Sequence, residues 1–575
     1  MLDPSKADWN CSHIPLNDKP AFDILKAANT VAVFQLESRG MQGMLKDAKP
    51  DRFEDIIALV ALYRPGPMDL IPSFCARKHG REKVEYPDPR VEPVLKETYG
   101  IMVYQEQVMQ MAQIVGGYSL GGADLLRRAM GKKKAEEMAE HRELFRGGAA
   151  KDGLSTEKAD EIFDLMEKFA GYGFNKSHAA AYALLAYYTA WLKAHHPAEF
   201  MAANMSLAMD DTDKVKILHD DCLDPRNGLK VLPPDINASQ YRFAPTDAKT
   251  IRYGLGGVKG SGQGAIEDIL RAREDGPFKD LFDFCERVDL SALNRRVLEN
   301  LIKAGAMDSL GGHRAQLLAA LDSAMEAGQR AWRDRLNGQA ALFAGWQDQQ
   351  AEEKPLPAVP EWDLAQKLAF EKEVLGFYVT GHPLEQYADK IRELATHTSE
   401  TLEGVERGTQ VAICGLLSGV QRRRSREGRP WASAQLEDLY GSVDLVVFGQ
   451  YYERLSAELT DGEAVLVRGT ALPEEGGPPK ISVQEIIPLA VASPALPSLI
   501  SIRVPLAANS EGEAAEALAR LFERKPGPTE VRLRLERARD FSVILDVAQK
   551  VRPDREFRQE VERICGPDAL EVLAQ

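Results

Sequence analysis

Cysteine is scarce, and what there is stands apart. Cys11, Cys75, Cys222, Cys285, Cys414 and Cys565 form no CxxC pair and no cluster with histidine. That argues against a zinc site and a disulfide framework and suits a reducing cytoplasm. Long hydrophobic runs are also missing: nothing approaches the roughly 18 apolar residues of a spanning helix. No signal peptide opens the chain. The expectation is a cytoplasmic protein that neither spans a membrane nor is exported by the usual route. No short-period repeat runs through it, which disfavours a solenoid. There is no P-loop and no GxGxxG with the right flanks. The carboxylates that hold two metal ions in phosphoryl and nucleotidyl transfer are reduced to one Asp-x-Asp, Asp211-Thr212-Asp213. Beside lysines at a helix start, it reads as a cap rather than a metal site. Cations are outnumbered, 72 Lys and Arg against 87 Asp and Glu, for a formal charge of −15. Global attraction to nucleic acid is therefore not favoured, and local basic clusters become more informative.

What is present is a chain of 575 residues, 44% apolar and 28% charged, as ordinary globular protein is. Several domains are expected at that length. The first 205 residues read mainly as helices, among them 155–170, with half a capping box at Ser155, and 179–196, closed by Pro197. The prolines of "VALYRPGPMDLIP" (60–72) predict a rigid loop. Residues 251–270 predict a glycine-punctuated hairpin and a helix, and 293–321 a helix, short turn and helix. A long helix then passes into a flexible linker over 322–362. From about 408 the runs "TQVAICGLLSGV", "RPWASAQLED", "SVDLVVFG" and "EAVLVRGTAL" predict a compact barrel or sandwich of about five strands. After a proline-marked break, 491–500, a small α/β domain closes the chain.

Five stretches carry candidate chemistry. In "LLRRAMGKKK" (125–134), Arg127 and Arg128 lie among Leu125, Leu126, Ala129 and Met130. Arginine beside an apolar face commonly grips phosphate by forked hydrogen bonds. Lys132, Lys133 and Lys134 fit either a phosphate or a solvated helix end. In "GYGFNKSHAAAYA" (171–183), Asn175 and Ser177 fit a simple cap. Lys176 argues for more, because a cation at a helix N-terminus is unfavourable without an anion there. His178 is a general acid or a packed ring. The Gly260-Ser261-Gly262 turn matches a helix–hairpin–helix, whose backbone N–H groups meet DNA phosphate. Arg295, Arg296 and Arg314 in the second helical hairpin strengthen that reading. In "GQAALFAG" (338–345), Gln339, Leu342 and Phe343 stand in a polar stretch, where an apolar pair typically docks on a partner. In "QRRRSREGRPW" (421–431), Arg422, Arg423 and Arg424 in a loop, near Trp431, Tyr440 and Phe448, suit a single strand held on an oligonucleotide-binding barrel.

Read together, "VFQLESRGM", "RPGP", "YGIMVYQEQVMQ", "LGGADLLRRAMGKKK" and "GYGFNKSHAAAYA" resemble the α subunit of bacterial DNA polymerase III, the replicative C-family polymerase. The resemblance covers essentially the whole chain. It implies a multidomain, mainly α fold of polymerase fingers and tandem helix–hairpin–helix, followed by a β OB-fold barrel and a small α/β C-terminal domain. The implied bounds are a palm-to-fingers connection over 1–30, fingers over 31–205, a fingers extension with the helix–hairpin–helix pair over 206–335, a clamp-binding peptide and linker over 336–405, an OB-fold over 406–490 and a τ-binding-like domain over 497–575.

By the same resemblance, Arg127, Arg128, Asn175, Lys176 and His178 contact the incoming deoxynucleoside triphosphate. Lys132, Lys133, Lys134, Gly260, Gly262, Arg422, Arg423, Arg424 and Trp431 contact primer–template DNA, and Gln339, Leu342 and Phe343 dock on the β sliding clamp. The clamp-loader τ subunit is a further implied partner. The proofreading exonuclease subunit is reached through the missing N-terminal half. The family's three catalytic aspartates lie in a palm domain that precedes the fingers, so no catalytic or metal-binding residue is assigned here. The Mg²⁺ expected for the complete polymerase would find its ligands outside this chain. The expected function is template-directed addition of deoxynucleotides to a primer 3′-hydroxyl, with this chain, inactive alone, supplying nucleotide, DNA and clamp contacts. The alternatives are a non-catalytic DNA- and clamp-binding fragment and an error-prone paralogue.

Overall fold

The computed structural model describes residues 10–132, 135–170, 173–336, 355–425, 428–456, 458–472, 480–492, 499–505, 513–537, 541–553, 555–566 and 569–572. The chain divides into two compact units, one ending at Pro383 and the other beginning at Leu384.

The first unit is built from helices around three hydrophobic clusters. Helix Phe53–Leu62 is apolar nearly all round, and every residue from Asp55 to Leu62 is buried. Such a helix belongs at the centre of a core. Helix Lys176–His195 packs beside it through Ala179, Ala183, Ala186 and Ala190, all fully buried. Their spacing places one small-residue stripe on one helix face, so the two backbones can approach closely. Helices Lys19–Lys26 and Arg39–Ala48 complete this cluster. Helices Gln105–Gly116, Leu120–Lys132, Ala135–Lys151 and Thr156–Ala170 enclose a second one.

The prolines of 60–72 do not form one loop. Helix Phe53–Leu62 runs through the first of those residues, and Pro67 and Pro72 open the next two helical segments, Pro67–Leu70 and Ile71–Lys78. The ring pre-sets φ and the missing N–H is harmless in a first turn, so proline starts helices as readily as it stops them. Pro197 does both, ending helix Lys176–His195 and opening Pro197–Leu207.

The third cluster unites residues 198–377. Packed on it through Val231 and Ile251 is a small sheet of short strands β1 (Lys230–Leu232), β2 (Ala244–Asp247) and β3 (Thr250–Arg252), in order β1-β3-β2. Two helical hairpins follow. The first turns at 258–262 into helix Gln263–Arg273, and the second joins Arg295–Lys303 to Arg314–Leu336. Among the described residues no helix is long and apolar enough to cross a membrane.

The second unit opens on a closed five-stranded barrel of order β4-β5-β6-β8-β7. Its strands are β4 (Gln410–Arg424), β5 (Pro430–Glu437), β6 (Ser442–Phe448), β7 (Ala464–Leu472) and β8 (Lys480–Pro488). Burial alternates along β6, with Val443, Leu445 and Val447 inside, as a barrel wall requires. β8 closes the ring by running parallel to β6. A four-stranded sheet of order β11-β10-β9-β12 follows, built from β9 (Leu499–Pro505), β10 (Pro526–Arg537), β11 (Phe541–Val551) and β12 (Leu570–Val572). Helices Glu513–Arg524 and Arg555–Cys565 contribute Leu518, Leu521, Phe522, Phe557 and Val561 to its core.

Candidate nucleotide and nucleic-acid interfaces

Helix Lys176–His195 begins with Asn175 as its N-cap, Asn175 Oδ1 accepting from the His178 N–H at 2.8 Å. That is the simple capping role read from the sequence. For Lys176, the anion that the sequence argument called for is present within the chain. At this helix start Glu106 accepts from the Lys176 N–H at 3.0 and 3.1 Å and from Asn175 Nδ2 at 2.9 Å. Lys176 Nζ lies 2.7 Å from Glu97 Oε1. Two internal carboxylates thus answer the helix dipole and the lysine that seemed to call for a ligand.

Arg127 sits half-buried on helix Leu120–Lys132 between the buried Leu126 and Ala129, while Arg128 is exposed. Asp124 bridges them. Its Oδ1 accepts from Arg127 Nε and Nη2, and its Oδ2 lies 2.8 Å from Arg128 Nε. The hydrogen bond from Arg127 holds the Asp124 carboxyl below its ordinary range. Lys132 ends this helix, and Lys133 and Lys134 lie outside the described residues.

The segment Val103–Glu106 brings the two helices together. Phe174 N donates to Val103 O at 3.2 Å and Gln105 N donates to Phe174 O at 2.9 Å, forming a short parallel bridge centred on Tyr104 and Phe174. Gln105 then reaches Arg127, whose Nη1 donates to Gln105 Oε1 at 3.2 Å. Arg127, Asn175 and Lys176 are therefore tied to one backbone segment. Gln105 and Glu106 were missed as site residues. The only signal available was their place in "YQEQ", whose partners lie far along the chain. Next to this segment His178 stands exposed between Phe174 and Tyr182, with ring centroids at 5.3 and 4.6 Å, and Tyr182 meets Phe34 at 5.5 Å. The Arg64 guanidinium lies 4.2 Å from the Phe174 ring centroid, and burial lowers its pKa. His178 is thus one rung of an aromatic row.

At the first helical hairpin, Gly260 has φ +83°, a left-handed turn, and Gly262 caps helix Gln263–Arg273 at φ −65°. Asn300 Nδ2 donates to Lys259 O at 2.7 Å, joining this turn to the second hairpin. A cavity of about 400 Å³ lies there, lined by Lys259, Arg295, Arg296, Lys303 and neighbouring residues. Arg296 is exposed, and Arg295 pairs with Asp322 and Glu299. Arg314 does not belong to this surface. It is buried and bound to Asp308 and to the fully buried Glu371.

On the barrel, Arg422, Arg423 and Arg424 lie on strand β4, not in a loop. β4 is 15 residues long, and past the register shift at Ser418–Gln421 it pairs with β5 as an extended hairpin. Arg423 stands opposite Trp431 in register, and its guanidinium lies 5.7 Å from the Trp431 ring centroid. Trp431 in turn pairs with Phe448, the rings stacked at 5.5 Å and 29°. Arg422 Nη2 donates to Ser456 O and Leu459 O. Gln339, Leu342 and Phe343 fall outside the described residues.

Among the described residues no group of three or more His, Cys, Asp and Glu side chains is placed to hold a metal ion. Asp211 accepts from the Lys214 N–H at 3.1 Å as the N-cap of helix Thr212–Leu223. These residues do not fit a divalent-metal site.

Three family models match the chain: the bacterial DNA polymerase III alpha subunit finger domain over residues 2–153, a helix–hairpin–helix motif over 228–317 and an OB-fold nucleic acid binding domain over 411–489. Together with the geometry above they define a protein in which a polymerase finger region is followed by two nucleic-acid-binding modules. DNA polymerase III subunit alpha of Xylella fastidiosa is 48% identical over 539 residues, covering 91% of this chain and 45% of that protein. The same subunit of Vibrio cholerae is 43% identical over 97% of this chain and 49% of its own length, and that of Escherichia coli 46% identical over 82% and 42%. The chain belongs to the bacterial DNA polymerase III α-subunit family, to whose C-terminal region its finger, helix–hairpin–helix and OB-fold parts correspond. It spans about half the length of the curated relatives it matches. A structure of RecG bound to a three-way DNA junction covers 38% of this chain and 30% of its own at 16% identity and a TM-score of 0.14, too low to carry a fold comparison.

Proposed function

We propose that this chain supplies the nucleotide, DNA and sliding-clamp contacts of template-directed DNA synthesis, the addition of deoxynucleotides to a primer 3′-hydroxyl. The observation that carries the nucleotide reading is the linkage of Arg127, Asn175 and Lys176 through Val103–Glu106, within a region continuous with the finger match. A triphosphate would compete with Asp124 for Arg127 and Arg128, and with Glu97 for Lys176. Forked guanidinium contacts suit its oxygens and would stabilise charge developing on it. The row of exposed His178, Tyr182 and Phe34, ending on the half-buried Phe174, offers ring faces next to those cations, as a nucleobase requires.

The other contacts follow the same division of labour. Gly260 and Gly262, with Lys132, Lys133 and Lys134, take duplex phosphates. Arg422, Arg423, Arg424 and Trp431 take single-stranded template. Gln339, Leu342 and Phe343 dock on the β sliding clamp, residues 497–575 meet the clamp-loader τ subunit, and the proofreading exonuclease subunit belongs to the same cytoplasmic assembly. Mg²⁺ chemistry is assigned to the complete polymerase, with no step routed through this chain.

Deoxynucleoside triphosphate binding to the full chain tests the reading. Arg127→Ala with Arg128→Ala should weaken it about 100-fold, the loss of two charge-assisted contacts; unchanged affinity refutes the assignment. Primer extension with and without a separately supplied polypeptide spanning the rest of the relatives' length tests the catalytic division. A second reading, a DNA- and clamp-binding module without catalysis, draws on the lack of a carboxylate cluster among the described residues. It predicts DNA and clamp retention with no synthesis in either mixture.

A further inference from the structure

One side chain in the linkage between the two cation-bearing helices has not been given a role of its own. Gln105 accepts from Arg127 Nη1 at 3.2 Å, and its Nε2 donates to Gly173 O at 2.9 Å. Its backbone N–H donates to Phe174 O at 2.9 Å. One residue thus joins helix Leu120–Lys132 to the turn that starts helix Lys176–His195.

The surroundings leave Gln105 little freedom. Gln107, which is buried, accepts from the Val103 and Tyr104 N–H groups and donates to Val94 O and Thr98 Oγ1, fixing the backbone on which Gln105 stands. On the other side, a Cβ at Gly173 would lie only 3.1 Å from Gln105 Cγ, so the turn backbone packs directly on the glutamine stem. A primary amide is the group this place requires. It offers an acceptor to the guanidinium and a donor to the carbonyl from a single carbon. Glutamate would face the Gly173 carbonyl with an acceptor, and methionine would offer neither strong donor nor strong acceptor. Arg127 cannot turn freely either, since Asp124 holds its Nε and Nη2 while Gln105 holds Nη1.

We propose that Gln105 is the positioning residue of the nucleotide site, holding the Arg127 guanidinium in register with the Gly173–Lys176 turn so that phosphate contacts from two helices act as one unit. It does not touch the ligand and acts through Arg127. The inference rests on the nucleotide reading of Arg127 given above.

A double-mutant cycle on the full chain tests it, with dATP as the probe and binding measured by calorimetry. Gln105→Met alone should weaken dATP binding about 10-fold, the loss expected when one charge-assisted contact is no longer oriented. In an Arg127→Ala background the same substitution should change binding less than about twofold, because the group it positions is gone. Equal losses in both backgrounds mean a merely structural glutamine and overturn the proposal while leaving the nucleotide reading intact. If Arg127→Ala by itself leaves dATP binding unchanged, the nucleotide reading falls and this inference with it. Should Gln105→Met lose its native thermal transition, Gln105→Ala, which also removes the acceptor for Arg127 without adding charge, replaces it in the same cycle under the same criteria.

Discussion

Lys193 Nζ lies 2.8 Å from Asp221 Oδ2, with the two side chains 1% and 4% exposed. The pair joins the far end of helix Lys176–His195 to helix Thr212–Leu223, and so links that helix to the core that carries the helical hairpins. Lys193 also donates to Val31 O at 2.9 Å, and the Asn29 and Asn227 side chains bond each other at 2.7 Å nearby. Burial is the largest influence on both partners. It lowers the Lys193 pKa and raises that of Asp221. A lysine with a lowered folded pKa weighs against folding at neutral pH, and the cost is relieved as pH rises through the folded value towards 10.5. An aspartate with a raised folded pKa does the same, and its cost is relieved as pH falls through the folded value towards 3.8. Removing one partner, by Lys193→Met or Asp221→Ala, should cost about 3–5 kcal/mol, because the other charge is left buried alone. The double replacement Lys193→Met with Asp221→Leu should recover most of that. Urea denaturation measures both, and single losses under about 1 kcal/mol would contradict the account.

The stacked pair on the barrel makes a selective prediction. Trp431→Ala removes a ring held between Arg423 and Phe448. Binding of a single-stranded oligonucleotide should weaken by about 1–3 kcal/mol, the worth of one base-stacking platform. Binding of a blunt duplex should stay within about twofold, because it depends on phosphate contacts elsewhere. Fluorescence anisotropy with the two probes separates the outcomes, and equal losses would place Trp431 in the barrel's stability instead.

Two glycines of one turn should behave differently. Gly260 holds φ +83°, so Gly260→Ala forces an L side chain into the left-handed region at a cost of about 1–2 kcal/mol. Gly262 holds φ −65°, and a Cβ there meets nothing within 4 Å. Gly262→Ala should therefore change stability by under about 0.5 kcal/mol. Chemical denaturation ranks them, and a larger loss at Gly262 would contradict the turn geometry.

Thiol chemistry follows from burial. It pushes Cys75 up to about 11, and Cys222, Cys285 and Cys414 up to about 12; Cys565 is raised as well. The thiolate is the reactive form, and at pH 8 these five stay protonated and covered. Cys11 is half-buried. A colorimetric thiol reagent at pH 8 should find at most one promptly reacting group in the native chain and six after denaturation. A second prompt group would mean that one of the buried sites opens.

The two sites divide plainly into what neighbours dictate and what distance decides. Asn175 and Asp211 were legible as caps because a cap bonds an N–H three residues on. The barrel was legible because a strand's pleat makes inside and outside alternate along it. The barrel's fifth strand, β8, was counted but not located, and β11 and β12 escaped notice. "KISVQEIIP" alternates only over Lys480–Gln484 and directly follows a turn-rich stretch, while "FSVILDVAQKV" exposes nearly every residue except Val551 and carries no clear alternation. The clusters at 125–134, 171–183 and 421–431 could be marked as cationic from sequence, yet their surroundings could not. Arg314 looked like a surface cation and is buried on Glu371, 57 residues away. Lys176 seemed to await an anion that Glu106, 70 residues back, already provides. Gln105 binds groups 22 and 68 residues distant, and nothing in its own neighbourhood announces either. Local bonding is set within one turn or one pleat, where few conformations compete. Which distant carboxylate or amide meets a given cation depends on which apolar faces bury together, and that only the packed chain decides.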